Sequence, residues 1–439
     1  MTRGTRWVLA SVAALAMLVY GLAPVSAAEE EKQSRDSIFI SADKHFNPAN
    51  GVRSGSGTPW DPYVISGWDV SDVRLADTSA AVVIRDNTID RLTLNWNGGN
   101  VRVVDNQVGD LRVNENVKRT GEPTSGLIAR NTFGVVGQLR HFDGVFENNV
   151  VTGQRSAFAE IPFFEDGQSV NFDGFNGSRF RNNKITGFVT MRLHGHHHSS
   201  SYSDDSHYHG AAEGGHGEMV DHTKRYHQVF FTNNVITSPG PYALNYVDTA
   251  HAANDRTAAS ETNEELNKPH VHHTKVHMNN NRLIGSGLYV DIFNAKDDRH
   301  LGTRTGMLEI KNNTIELVQE SDRDPLFDWE EPAGISIYQA RDVHVMISKN
   351  KVTNKDEQSS PLGQEVPFFE SVGISGIRLY SIEDAQIHIA NNSVASTEYG
   401  VSAAQMPKSV EWWIHGLDVK SVLEPVYWDN TVANPPHRE

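Results

Sequence analysis

The 439-residue chain carries 55 acidic against 39 basic residues, 21 histidines and no cysteine, for a formal charge of −16. The missing cysteines exclude disulfides, thiolate metal sites, a cysteine nucleophile and a lipid-bearing cysteine anchor. The charge argues against nucleic acid and anionic membranes as partners.

Residues 1–28 read as a secretory signal peptide. Arg3 and Arg6 precede an apolar run from Trp7 to Leu22, and small residues follow at Val25, Ala27 and Ala28. No later stretch is apolar and long enough to span a bilayer, so the mature chain is expected outside the cytoplasm, secreted or periplasmic. Residues 29–54 are expected to form an N-terminal cap, and Trp412, Trp413 and Trp428 are candidate plugs at the other end.

From residue 55 to 434 one phrase recurs: a few β-prone residues, then Asn, a variable residue and an apolar one. The copies begin at Asn87, Asn106, Asn131, Asn149, Asn183, Asn234, Asn281, Asn313, Asn350, Asn392 and Asn430. Such a period marks a solenoid with loops of unequal length between coils. The coil is legible from Ala333 onward: Gly334–Tyr338 alternates as one strand, Val343–Ile347 as a second, Asn350 makes a corner, and Lys351–Thr353 starts a third. The expectation is an all-β, right-handed parallel β-helix of roughly a dozen three-strand coils. The repeated Asn is expected to take φ > 0 at a sharp corner and to stack as an asparagine ladder. Residues 435–439 read as a tail.

The opening coil, Gly55-Ser56-Gly57-Thr58-Pro59-Trp60-Asp61-Pro62-Tyr63-Val64-Ile65-Ser66-Gly67, resembles the first coil of secreted right-handed parallel β-helix proteins of pectin-lyase-like architecture. Among them it is similar to those grouped with the NosD-like periplasmic copper-binding proteins. The resemblance implies the fold; lyases, hydrolases, adhesins and accessory factors all share it. No catalytic motif of the family is carried over to residues of this chain.

Two insertions are rich in histidine, at residues 195–225 and 248–273, and fourteen of the 21 histidines fall between His194 and His277. Imidazole suits zinc and copper(II) at neutral pH, and a real site needs three or four donors. The candidate ligands are His194, His207, His209, His222, His227, His270, His272, His273 and His277, with those anchored beside strands the better placed. Glu330-Glu331, Asp297-Asp298 and Asp322 with Asp324 are acidic pairs that could bind calcium in loops beside the groove, although in a chain this acidic such pairs are more often plain solvated charge.

A second constellation comes from strand alternation. If Val189, Met191 and Leu193 point inward, Arg192 and His194 point outward, as do Tyr289, Asp291, Tyr338, Arg378 and Tyr380 on later coils. That stripe combines acids, bases and rings for stacking sugars, as in a polysaccharide-cleaving groove. The leading expectation is therefore non-catalytic capture or delivery of zinc or copper. Its alternatives are a polysaccharide lyase or glycoside hydrolase using Arg192, His194, Tyr289, Asp291, Tyr338 and Arg378, and a surface adhesin or spacer. The sequence leaves the oligomeric state open.

Overall fold

The computed structural model describes residues 32–95, 97, 100–114, 126–142, 144–154, 168–174, 178–194, 227–238, 242–249, 272–293, 303–318, 333–355 and 374–438. The signal-peptide segment, most of both histidine-rich insertions and the three acidic pairs lie outside them. Apart from two short 3-10 turns, Asp43–His45 and Pro48–Asn50, the described elements are strands. Among the described residues no helix is long and apolar enough to cross a membrane.

The strands form two long, wholly parallel sheets, one of 21 strands and one of 13. The larger begins with long strands such as Thr88–Asn95 and Gln107–Asn114, paired along their whole length. At Thr132–Phe142 it divides. Thr132 and Phe133 pair onward with Val150–Val151, while Val136 to Phe142 pair with Gln168–Gly174. From there the chain visits three ladders in turn, two belonging to the larger sheet and one to the smaller. The strands expected after residue 333 form as Ala333–Tyr338, His344–Ser348 and Lys351–Asn354. The described residues thus form a nearly all-β, solenoid-like stack of parallel strands.

Alternation explains what faces inward. Val189, Leu244, Leu288, Ile335, Ile377 and Val401 share one register row and are all buried. In the smaller sheet Phe146, Phe180 and Phe231 share another, with ring centroids 4.6 and 5.0 Å apart and planes within about 10°. Glycine holds one inner corner. Gly287, Gly334 and Gly376 succeed one another up the stack, and a Cβ on Gly334 or Gly376 would sit 2.3 or 2.4 Å from a methyl of Val352 or Val394.

The asparagine ladder runs from Asn87 to Asn392. From Asn106 on, each Oδ1 accepts from both the backbone N–H and the Nδ2 of the asparagine one coil earlier, at 2.8–3.2 Å, and that of Asn87 accepts from the Trp68 backbone N–H at 3.0 Å. Each Nδ2 also reaches a main-chain carbonyl, as Asn234 does to Phe180. The buried amides are therefore paired on both sides, which is what permits their burial.

Two expectations about this repeat are corrected. The left-handed residue is not the ladder asparagine but the one before it: Asp86, Asp105, Arg130, Asn148, Asn182, Asn233, Asn280, Asn312, Lys349 and Asn391 all have φ of 54–59°. The turn needs φ > 0 at one residue only. That residue sends its side chain into solvent, so the next can point inward and stack. All but Arg130 and Lys349 are Asn or Asp, the types that tolerate this region. Asn430 is not a rung; it is exposed in a terminal turn.

The ends differ. At the start, Gln33–Ile40 adds a parallel strand to Trp68–Ala76, Phe46 and Val52 are buried, and the Phe46 ring stacks on Tyr63 at 4.4 Å. At the other end Trp412 is fully buried, Trp413 lies on the outer face stacked on His388, and Trp428 is exposed. The expected plug therefore reduces to Trp412.

Candidate functional site

Register brings most of the outward stripe together. Strands Phe188–His194, Tyr242–Thr249, Gly287–Phe293, Ala333–Tyr338 and Ser375–Tyr380 lie side by side. One outward row reads Arg192, Val247, Asp291, Tyr338, Tyr380, and the next Thr190, Asn245, Tyr289, Ser336, Arg378. The two histidine-rich insertions leave at adjacent points of this face, because His194 and Thr249 are in register where their strands stop, and Phe293 ends the next strand in the same row.

The tyrosines form a continuous column. Ring centroids are 4.7 Å apart for Tyr242 and Tyr289, 5.9 Å for Tyr289 and Tyr338, and 5.4 Å for Tyr338 and Tyr380, the last pair parallel within 1°. The expectation of sugar-stacking rings facing solvent needs correcting. These rings are half-buried, and their faces are spent on one another along the stack, so the column offers edges and hydroxyls rather than open platforms. Gln339 Nε2 donates to the Tyr338 hydroxyl at 3.3 Å and Gln405 Nε2 to that of Tyr380 at 2.6 Å. The guanidinium of Arg378 lies 5.2 Å from the Tyr380 ring centroid.

Asp291 is half-buried in this column, and burial raises its pKa from the ordinary value near 3.8 to about 6. Tyr289 is also pushed up, first by burial and then by the negative charge of Asp291 and by Tyr338, with Arg378 acting in the opposite sense. Four polar atoms on this face are buried without a hydrogen-bond partner among the described residues: Asn171 Oδ1, Tyr242 Oη, Asn245 Oδ1 and Asp291 Oδ1. In folded proteins such atoms are satisfied by protein groups, by ordered water or by a bound polar group. Sequence reasoning missed Asn171, Tyr242 and Asn245. Tyr242 joins the column through a register shift between Tyr242 and Leu244, which alternation cannot reveal.

The predicted metal ligands fare differently. His207, His209, His222 and His270 lie outside the described residues. His194, His227, His272 and His273 stand on strands, but their side chains lie outside what is described. His277 is on the outer face of the smaller sheet, not beside the tyrosines. Its ring stacks on Phe230 at 4.9 Å, and its Nδ1 is 2.7 Å from Glu309 Oε2, which also accepts from Asn279 Nδ2 at 3.0 Å. Burial opposes ionisation of Glu309, but these bonds and the charges of His277 and Lys311 outweigh it and hold the carboxyl below its usual range. Nε2 of His277 is buried and has no partner among the described residues. Among those residues no three His, Asp or Glu side chains converge as a metal set.

Comparison with known proteins returns nothing: no family model, no curated protein and no solved structure matches the chain.

Proposed function

We propose that the protein is a secreted or periplasmic right-handed parallel β-helix, of the pectin-lyase-like architecture its opening coil resembles, and that it binds and cleaves a polysaccharide along the tyrosine column. The observation that carries this reading is the set of orphaned buried polar atoms on two adjacent rungs of that column, Tyr242 Oη, Asn245 Oδ1 and Asp291 Oδ1, with Asn171 Oδ1 two rungs earlier. A rung spacing of about 4.8 Å is close to the length of one sugar unit, so a linear glycan lying along the stack advances by about one sugar per rung.

The described side chains favour elimination over hydrolysis. Hydrolysis uses two carboxyl groups flanking the bond, whereas Asp291 here stands with Tyr338 on the adjacent rung, with Arg192 two rungs before it in the same row and Arg378 two rungs after it in the neighbouring row. In β-elimination on a uronate, a guanidinium neutralises the sugar carboxylate and acidifies the adjacent C–H. The Asp291 carboxylate takes that proton, the electron pair forms the C=C bond, the glycosidic C–O bond breaks, and the Tyr338 hydroxyl donates a proton to the leaving oxygen. The test is ultraviolet detection of unsaturated products from a panel of polyuronates. Wild type forms product, Asp291→Asn loses at least ~100-fold in rate, and Tyr338→Phe falls comparably. No product from any polyuronate refutes the reaction. Product formation unchanged in Asp291→Asn refutes the site.

One observation favours a second reading, capture of zinc or copper(II) by the histidine-rich segments. A carboxylate holding one ring nitrogen while the other is left free is how metal-binding histidines are oriented, and His277 with Glu309 has that form. Titration of the chain with copper(II), beside His277→Gln, decides it. Tight binding at low stoichiometry lost in the variant supports capture, and binding unaffected by the variant removes His277 from any site.

A further inference from the structure

We propose that the outer face of the smaller sheet carries a binding site for a soft monovalent metal ion, copper(I), built from Met307, His344, Met346 and His388. The site lies on a different sheet from the tyrosine column and uses none of its residues. Strands Thr303–Lys311, His344–Ser348 and Gln386–Ala390 are consecutive rungs of the smaller sheet. Register sets Met307 directly against His344, and Met346 directly against His388. His344 and Met346 flank the buried Val345 on one strand, so alternation turns both outward. All four side chains are half-buried and share one patch of three rungs. The methionines are the unusual part. Met191, Met278 and Met406 are in the core, none more than 1% exposed, which is the ordinary place for this side chain. Among the described residues the outward-facing methionines are Met307 and Met346, and both adjoin a histidine.

Geometry and donor chemistry select the ion. The two imidazoles are diagonal neighbours across adjacent strands, yet their ring centroids lie 5.1 Å apart with planes at 64°. Two imidazoles bound to one tetrahedral ion through nitrogens at about 2.0 Å have centroids about 5 Å apart. Nε2 of His344 is buried and has no hydrogen-bond partner among the described residues, the state of a ring nitrogen that a ligand would satisfy. His388 also stacks on Trp413 at 4.4 Å with planes 5° apart, which holds its ring in place and leaves its nitrogens at the edge. Two imidazoles fall short of the three or four donors a metal site needs, and here the further donors are sulfur. Zinc sites are built from thiolate, imidazole and carboxylate. This set has no thiolate, and the carboxyl in register with Met346, that of Glu309, is engaged by His277 and Asn279. Uncharged thioether sulfur beside imidazole suits copper(I).

The chain has no cysteine, so any sulfur bound to copper belongs to methionine. The test is X-ray absorption of the signal-free chain loaded anaerobically with one equivalent of copper(I), with affinity measured by competition against a chromophoric copper(I) chelator. Sulfur and nitrogen neighbours of the metal should appear together. Met307→Leu combined with Met346→Leu keeps volume and hydrophobicity; it should remove the sulfur neighbours and weaken copper(I) binding at least ~10-fold, with an unchanged circular dichroism spectrum and unchanged zinc binding. His344→Gln should weaken copper(I) by a similar factor, and it decides by affinity alone if the leucine pair disturbs the spectrum. Copper(I) held by nitrogen only overturns the proposal. So does a sulfur signal that survives the leucine pair, or an affinity that His344→Gln leaves unchanged.

Discussion

Replacing Asp291 by Asn should stabilise the protein at neutral pH and do nothing at acid pH. Asn keeps the shape of the protonated carboxyl and cannot ionise. Burial raises the Asp291 pKa from near 3.8 to about 6 in the folded chain. The folded state therefore holds this proton more tightly than the unfolded state does. That contribution to stability is present below about pH 4 and is lost as pH rises through 6. The gap between the two values corresponds to about 3 kcal/mol at ~1.4 kcal/mol per pH unit. Asp291 keeps part of its surface in water, and screening brings the expected effect to about 1–2 kcal/mol. Urea unfolding followed by tryptophan fluorescence at pH 4, 5, 6, 7 and 8 measures it. The two proteins should coincide at pH 4 and diverge through pH 6, with the variant ahead by a constant margin above pH 7. A difference that does not change with pH, or a wild type that gains on the variant as pH rises, refutes the assignment of a buried, unpaired carboxyl.

Asn234→Ala breaks the ladder in mid-stack: it deletes the acceptor for Asn183 and the donors to Phe180 and Asn281. It should cost on the order of 3 kcal/mol in the same unfolding assay, and a loss below ~0.5 kcal/mol would mean that the ladder is not a source of stability. Gly376→Ala places a methyl 2.4 Å from Val394 Cγ1 and 2.8 Å from the Gly400 carbonyl oxygen, which should destabilise by about 1–3 kcal/mol; an unchanged melting temperature would contradict that packing. Arg130→Gln removes a two-pronged pair with Asp105, at 2.8 and 2.7 Å, from an exposed site, and the unfolding midpoint should not move. If elimination is the reaction, its rate at saturating substrate should rise between pH 5 and 7 as Asp291 ionises, and a rate that falls over that interval would reverse the assignment of base and acid.

Much of the architecture was legible along the chain because its information is local. The period of the Asn phrase, the alternation within Ala333–Tyr338 and the turn residues between strands each depend on a few neighbouring residues, so they announce parallel coils and a buried amide ladder. The outward stripe of Arg192, Tyr289, Asp291, Tyr338 and Arg378, which register resolves into two rows, comes from the same alternation once one inward residue is chosen. Local pattern does not say which of two adjacent residues bends the chain. Asp86 and Asn87 both tolerate φ > 0, and only the demand that one amide point inward and meet the next coil assigns the turn to Asp86.

Register and environment are decided between coils, residues apart in sequence by tens of positions. The column of Tyr242, Tyr289, Tyr338 and Tyr380 exists because four strands align after an irregularity near Tyr242, and stacking turns apparent sugar platforms into edges. His277 illustrates the limit most sharply. Its sequence neighbours group it with the histidine-rich insertion, yet stacking sets it on the other sheet, beside a Glu309 that lies 32 residues away. A carboxyl such as Asp291 has an ordinary pKa in an extended chain, and its raised value arises from burial, which exists only once the coils are stacked.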